Sequence, residues 1–287
     1  MTFLIDLFSN PFLQNALLAG VLISLSAGIM GSYVVIKKIT SLAGSVSHSI
    51  LGGIGLFAFL NFKHPAWFFS PAIGAFLAAI LSAFLIGFIH LKHAQKEEAA
   101  VSAIWSAGMA IGVIFISFLP SYNVEFSEFL FGNILFISKA DLLMLLGLNI
   151  IILLVVIAFW RPFLAVCFDE ESAKLQKIPI KSYYLFLLSL ISLSIVLLIQ
   201  IIGIILVIAL LTIPPTVAGL FLRRLPVIMI FSVLLSALLN LGGTFISYSL
   251  NFPPGATIAL LAAVIYALAL LWKKQKTLHP TNSSSPH

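Results

Sequence analysis

The sequence predicts an all-α polytopic membrane protein, a bundle of about nine transmembrane helices with eight to ten allowed. Three observations carry this expectation. Hydrophobic residues make up 61% of the 287 residues and charged ones only 8%. Mean hydropathy is +1.18. Apolar runs of roughly 20 residues, enough to cross about 30 Å of hydrocarbon, recur along the chain. A soluble chain of this size could not cover its core with so few charges.

The runs place spans at about 13–36, 42–60, 66–89, 100–119, 141–159, 183–200, 203–222, 227–249 and 256–272. The first lacks a basic leader and is too long for a cleaved signal, so it is read as an uncleaved span. Residues 183–222 form one nearly unbroken apolar stretch. It is divided at "LIQIIGII", where Gln200 and Gly203 offer a turn. Pro214 and Pro215 remove two backbone donors from the second half, which is therefore expected to break or kink, with neighbours satisfying the freed carbonyls. In "NFPPGATI" (251–258), Pro253 and Pro254 stop a helix and Gly255 supplies permissive backbone. The segment 120–141 has an apolar middle expected to lie along the bundle or the interface. Residues 1–275 then form a single membrane domain, and 276–287 a polar, disordered tail.

Charge sets the expected orientation. The net charge is +6. Lys37, Lys38, Lys92, Lys96, Arg161, Lys174, Lys177, Lys181, Arg223, Arg224, Lys273, Lys274 and Lys276 fall on one side of a nine-span arrangement. Only Lys63 and Lys139, of the 15 basic residues, fall on the other. By the positive-inside rule the N-terminus is outside and the C-terminus inside, in the cytoplasmic (inner) membrane. No basic patch interleaved with aromatics suggests nucleic acid. The single cysteine, Cys167, excludes an intrachain disulfide. No phosphate-binding glycine loop, Cys-x-x-Cys or His-Glu-x-x-His is present, so a soluble catalytic unit and ATP binding by that loop are excluded.

All nine carboxylates map to span ends or loops, as the cost of about 2.5–3.5 kcal/mol for a mid-bilayer charge requires. That argues against a proton- or sodium-driven carrier. Of six histidines only His48 lies within a span. Ser41, Gly44, Ser45, Gly52 and Gly55 share its helix face, a small-residue stripe that admits a neighbouring helix. Two readings stay open: a hydrogen bond across a helix interface, or a ligand on a substrate path, the default hypothesis for an intramembrane ionisable group. Ser45 and Ser47 flank it. Trp105, Trp160 and Trp272, near span ends, read as belt or packing residues. In "DEESAKLQKIPI", Asp169 is a candidate N-cap, Glu170 and Glu171 suit a first helical turn, and Pro179 ends the helix.

Five segments in order resemble the membrane-subunit family of metal-uptake ABC transporters, the zinc, manganese and iron type. They are "GSYVVIKKITSLAGSVSHSILGGIG", "EFLFGNILFISKADL", "CFDEESAKLQKIP", "IIGIILVIALLTIPPTVAG" and "GGTFISYSLNFPPGATIAL". The likeness covers about residues 15–272. It implies a permease subunit without enzymatic activity or a permanently bound cofactor, moving a divalent metal ion inward. It also implies a second permease subunit (identical or not), cytoplasmic ABC ATPases and an extracytoplasmic metal-binding protein as partners. Asp169, Glu170, Glu171 and Lys174 would contact the ATPase. His48 would match the metal-binding His, with Gly44, Ser45, Ser47, Pro214 and Pro215 as candidates for lining the path. The family's Asp, four residues before that His, falls on Gly44, or on Ser45 with one gap. Neither is a carboxylate, so a second, non-identical permease is expected to supply one. The alternatives are a permease for chelated iron or a vitamin, and an ATP-independent metal channel or carrier.

Overall fold

The computed structural model describes residues 11–65, 69–93, 97–120, 129–130, 132, 137–168, 177 and 179–278. Among them are nine helices: α1 (Pro11–Ile36), α2 (Thr40–Lys63), α3 (Pro71–His93), α4 (Glu97–Ile116), α5 (Lys139–Ala158), α6 (Trp160–Phe168), α7 (Ile180–Phe221), α8 (Leu225–Leu250) and α9 (Pro254–Leu278). No strand occurs among the described residues. All but α6 are long and apolar enough to cross a membrane. Helix is the expected choice there, because a spanning segment must satisfy its own backbone N–H and C=O groups.

The helix ends follow local chemistry. Ser138 caps α5 in a reciprocal box: its hydroxyl accepts from the Asp141 N–H at 3.2 Å, and the Asp141 carboxylate accepts from the Ser138 N–H at 3.0 Å. Asn251 closes α8 in the left-handed region at φ 55°. The expectation that Gly255 provides that freedom is corrected, since it lies in the first turn of α9. Asn251 takes the left-handed role because its short amide side chain tolerates that region. Phe129, in the 120–141 segment, is buried on the bundle.

The 42-residue α7 is two helices, 180–202 and 204–221, meeting at Gly203 (φ 75°, ψ 165°). Its contacts run it out and back. Tyr184 lies 5.6 Å from the Lys37 ammonium group. Thr212 and Thr216 share a cavity with Thr40 and Ser41, just beyond Lys37 in the chain. A straight helix would separate Tyr184 from Thr216 by about 48 Å, at 1.5 Å per residue. Ile199 and Gln200, near the turn, instead line a cavity with Asn61 and Leu119 at the other end of the bundle. The division expected at Gln200/Gly203 therefore stands, and with α7 counted as two the described helices run the length of the bundle nine times. The break expected at Pro214 and Pro215 does not occur: both lie inside continuous helix, and only Gly203 leaves helical dihedrals. The Leu211 carbonyl, four residues before Pro215, abuts Gly31 of α1. A glycine there lets the neighbouring backbone close on the freed oxygen.

Buried polar groups join the helices. Asn149 of α5 accepts from the Ser26 hydroxyl at 2.8 Å and donates to the carbonyls of Leu22 and Leu145, both at 2.9 Å. Asn240 of α8 donates to the Ser24 oxygen at 2.8 Å. Without a hydrophobic drive between helices in lipid, such bonds and close small-residue contacts supply the attraction. At the Lys37 end, the Lys37 Nζ donates to the Val166 carbonyl of α6 at 2.9 Å. The Tyr33 ring meets Phe163 edge-on at 5.7 Å, and His90 lies 4.8 Å from Tyr184.

Candidate functional site

The histidine stripe of α2 is a helix seam. α2 and α4 run parallel and in step. The Ser45 hydroxyl donates to the Val101 carbonyl at 2.9 Å. Gly52 stands against the Gly108 carbonyl, where an added Cβ would lie 2.8 Å from the oxygen, and Gly55 packs on Gly112 in the same way. The adjacent face of α2 takes α3 antiparallel: Gly53 meets Gly74, and the Ser49 and Ser82 hydroxyls bond at 2.6 Å.

His48 sits in the α2–α4 seam, half-buried. Its ring stacks on the Trp105 indole at 4.4 Å between centroids and 13° between planes. Its Nδ1 is buried and has no hydrogen-bond partner. Of the two readings open at the sequence level, a hydrogen bond across the interface is not what this nitrogen makes. A buried nitrogen without a partner is costly unless something else occupies it. Stacking fixes the ring plane and leaves Nδ1 unpartnered; histidine ligates metal through such a nitrogen when the imidazole is neutral and the proton sits on the other ring nitrogen.

Gly44 lies one turn before His48 and faces the same indole. A Cβ built there would lie 3.4 Å from the Trp105 ring. The indole thus covers the space into which a side chain at 44 would project. Among the described side chains the carboxylates are Glu98, exposed at the start of α4, and Asp141, engaged in its cap. No group of three His, Cys, Asp or Glu side chains converges among the described residues.

The other expected path residues are dispersed. Ser45 is spent on Val101, and the Ser47 hydroxyl donates to Ala43 of its own helix at 2.8 Å. Pro214 and Pro215 are buried on α7, and Pro215 meets Gly31 of α1. Asp169, Glu170, Glu171 and Lys174 lie outside the described residues. Trp105 is the residue that sequence reasoning missed, having been read as belt or packing. A signal was present: Val101, Trp105, Gly108 and Gly112 form a stripe on α4 that mirrors the one on α2.

Comparison with known proteins agrees with this architecture. The model of the ABC 3 transport family matches residues 9–273. A protein of Chlamydia pneumoniae named "Probable metal transport system membrane protein" is 41% identical over 98% of this chain and 96% of its own. The "Manganese transport system membrane protein MntC" of Halalkalibacterium halodurans is 31% identical over 96% of this chain and 92% of its own. Among solved structures, PsaBC from Streptococcus pneumoniae in complex with Fab superposes with a TM-score of 0.81 at 29% identity, covering 93% of this chain and 94% of that one. With eight helices among the described residues long and apolar enough to cross a membrane, a matching family model over nearly its whole length and relatives of full extent, this chain is a multi-pass membrane protein and belongs to the ABC 3 transport family.

Proposed function

We propose that this chain is the permease subunit of an ATP-driven importer for a divalent transition metal, manganese before zinc or iron. The observation that carries the reading is His48, held flat on Trp105 with an unpartnered nitrogen in a seam of small residues. Imidazole alone suits zinc and iron, whereas manganese prefers oxygen ligands. The preference for manganese is supported by the names of the relatives. It requires that oxygen ligands come from outside the described residues of this chain, which is the part assigned to a second permease. Membership of an ABC transporter family supports a cytoplasmic ATPase and an extracytoplasmic binding protein as partners.

The test is uptake of Mn, Zn and Fe ions by the reconstituted complex with its ATPase and binding protein. His48→Ala is expected to lower Mn uptake by about tenfold or more, equivalent to about 1.4 kcal/mol lost from one transient ligand. Unchanged uptake in that variant removes His48 from the path. Uptake of a metal only as its organic chelate replaces the ion reading with the chelate one.

A further inference from the structure

A second polar feature lies nearer the basic end of the bundle. An open cavity of about 540 Å³, more groove than enclosure, is lined by Thr40, Ser41, Thr212, Ile213, Thr216 and Tyr266. Five of these six side chains carry a hydroxyl, and they come from α2, the second half of α7, and α9. In a chain that is 61% hydrophobic such convergence is unusual. Thr40 and Ser41 are exposed; Thr212, Thr216 and Tyr266 are half-buried.

The hydroxyls have a direction. The Thr212 hydroxyl donates its proton to the Ile208 carbonyl at 2.8 Å, and the Thr216 hydroxyl donates to the Thr212 carbonyl. With the proton committed to its own helix, each oxygen offers the cavity only lone pairs. Such oxygens accept from water or approach a cation. The two stand four residues apart, so one face of α7 presents both.

One lining residue shares a helix face with His48. Ser41 is seven residues before His48, two turns minus about 20°, which places it on the same side of α2 roughly 10 Å away along the axis. Six waters at about 30 Å³ each fill about 180 Å³, so the space is large enough for a divalent ion with its hydration shell. The positive end of the α2 dipole faces the same space and opposes tight cation binding. Hydroxyl oxygens without a carboxylate, against that dipole, suit a stage that releases rather than stores.

We infer that this cavity is a second cation stage, at which the ion passing His48 is held in its hydration shell by Thr212, Thr216, Ser41, Thr40 and Tyr266 before leaving at the basic end. The inference rests on the import reading above and extends it to a separate site.

The experiment uses the whole complex in proteoliposomes, with Cys167→Ser as background and Ile213→Cys, a lining residue outside the hydroxyl set, as reporter. Mn ions are expected to slow thiol labelling of the reporter. Adding Thr212→Val and Thr216→Val is expected to abolish that protection and to lower Mn uptake by about tenfold, the scale seen when outer-shell partners of a metal are removed. Thr212→Ser with Thr216→Ser, which keeps both oxygens, is expected to retain both. Equal melting temperatures of the Val and Ser pairs establish that folding is intact; should the Val pair melt lower, the single Thr212→Val variant decides by the same protection assay. Labelling indifferent to Mn ions, in a complex whose wild type imports them, overturns the cavity and leaves the import reading standing. A wild-type complex that imports no divalent ion overturns both.

Discussion

His48 and Trp105 face each other across a seam only because neither helix carries bulk on either side of the pair. The indole also governs position 44. A carboxylate placed there would enter beside the ring edge, one turn from the His48 nitrogen, in a space with no described cation to offset its charge. Burying it uncompensated is costly. Gly44→Asp is therefore expected to melt below wild type without metal. With Mn ions it is expected to gain more in Tm than wild type does, because Asp and His at i and i+4 can grip one ion from one face. Equal gains would show that the indole does not yield. Asn149 illustrates the structural counterpart. All three of its contacts are made, so Asn149→Leu is expected to lower stability by about 1–2 kcal/mol in detergent unfolding while leaving uptake per folded molecule unchanged.

At the scale of the element, α7 is where composition and geometry part. Two adjacent prolines are a stronger sequence signal for a break than one glycine, yet the chain turns at Gly203. Proline costs a helix a donor and pushes on the carbonyl four residues earlier. Here Gly31 lets α1 close on one such carbonyl, and the remaining dihedrals stay helical. Gly203, by contrast, sits at φ 75° and ψ 165°, a region essentially reserved for glycine. Gly203→Ala is expected to destabilise by about 1–3 kcal/mol, read as a shift in the denaturation midpoint. Pro215→Ala is expected to change stability by less, since the helix already runs through that position. The reverse order would place the turn at the prolines.

Across the whole molecule the charges separate. Lys37, Lys38, Lys92, Arg161, Lys181, Arg223, Arg224 and Lys273 lie at one end of the bundle, and Lys63 and Lys139 at the other. The positive-inside rule predicts that the first end faces the cytoplasm. With Cys167→Ser as background, Lys139→Cys is expected to react with an impermeant thiol reagent on intact cells, and Lys273→Cys only after permeabilisation. The opposite result inverts the orientation and, with it, which mouth of the bundle receives the ion. The same two ends organise the polar features: Asn61 and Gln200 line a cavity of about 460 Å³ at the sparsely charged end, and the hydroxyl cavity opens toward the basic one.

The sequence alone determined the class, because no water-soluble packing can hide so much apolar surface behind so few charges. It also determined the spans to within about six residues, the turn at Gln200/Gly203 and the singular position of His48, since length, glycine and an intramembrane ionisable group are local properties. What it could not hold was pairing. That α2 and α4 lie parallel and in step, that Trp105 is the surface on which His48 rests and the cover over position 44, and that Thr212, Thr216 and Tyr266 meet Ser41 are relations between residues dozens to hundreds of positions apart. Helical periodicity fixes which residues share a face. Only the packing of one face on another decides what that face meets, and in lipid, where every apolar face is equally at ease, close small-residue contacts and buried hydrogen bonds make that choice.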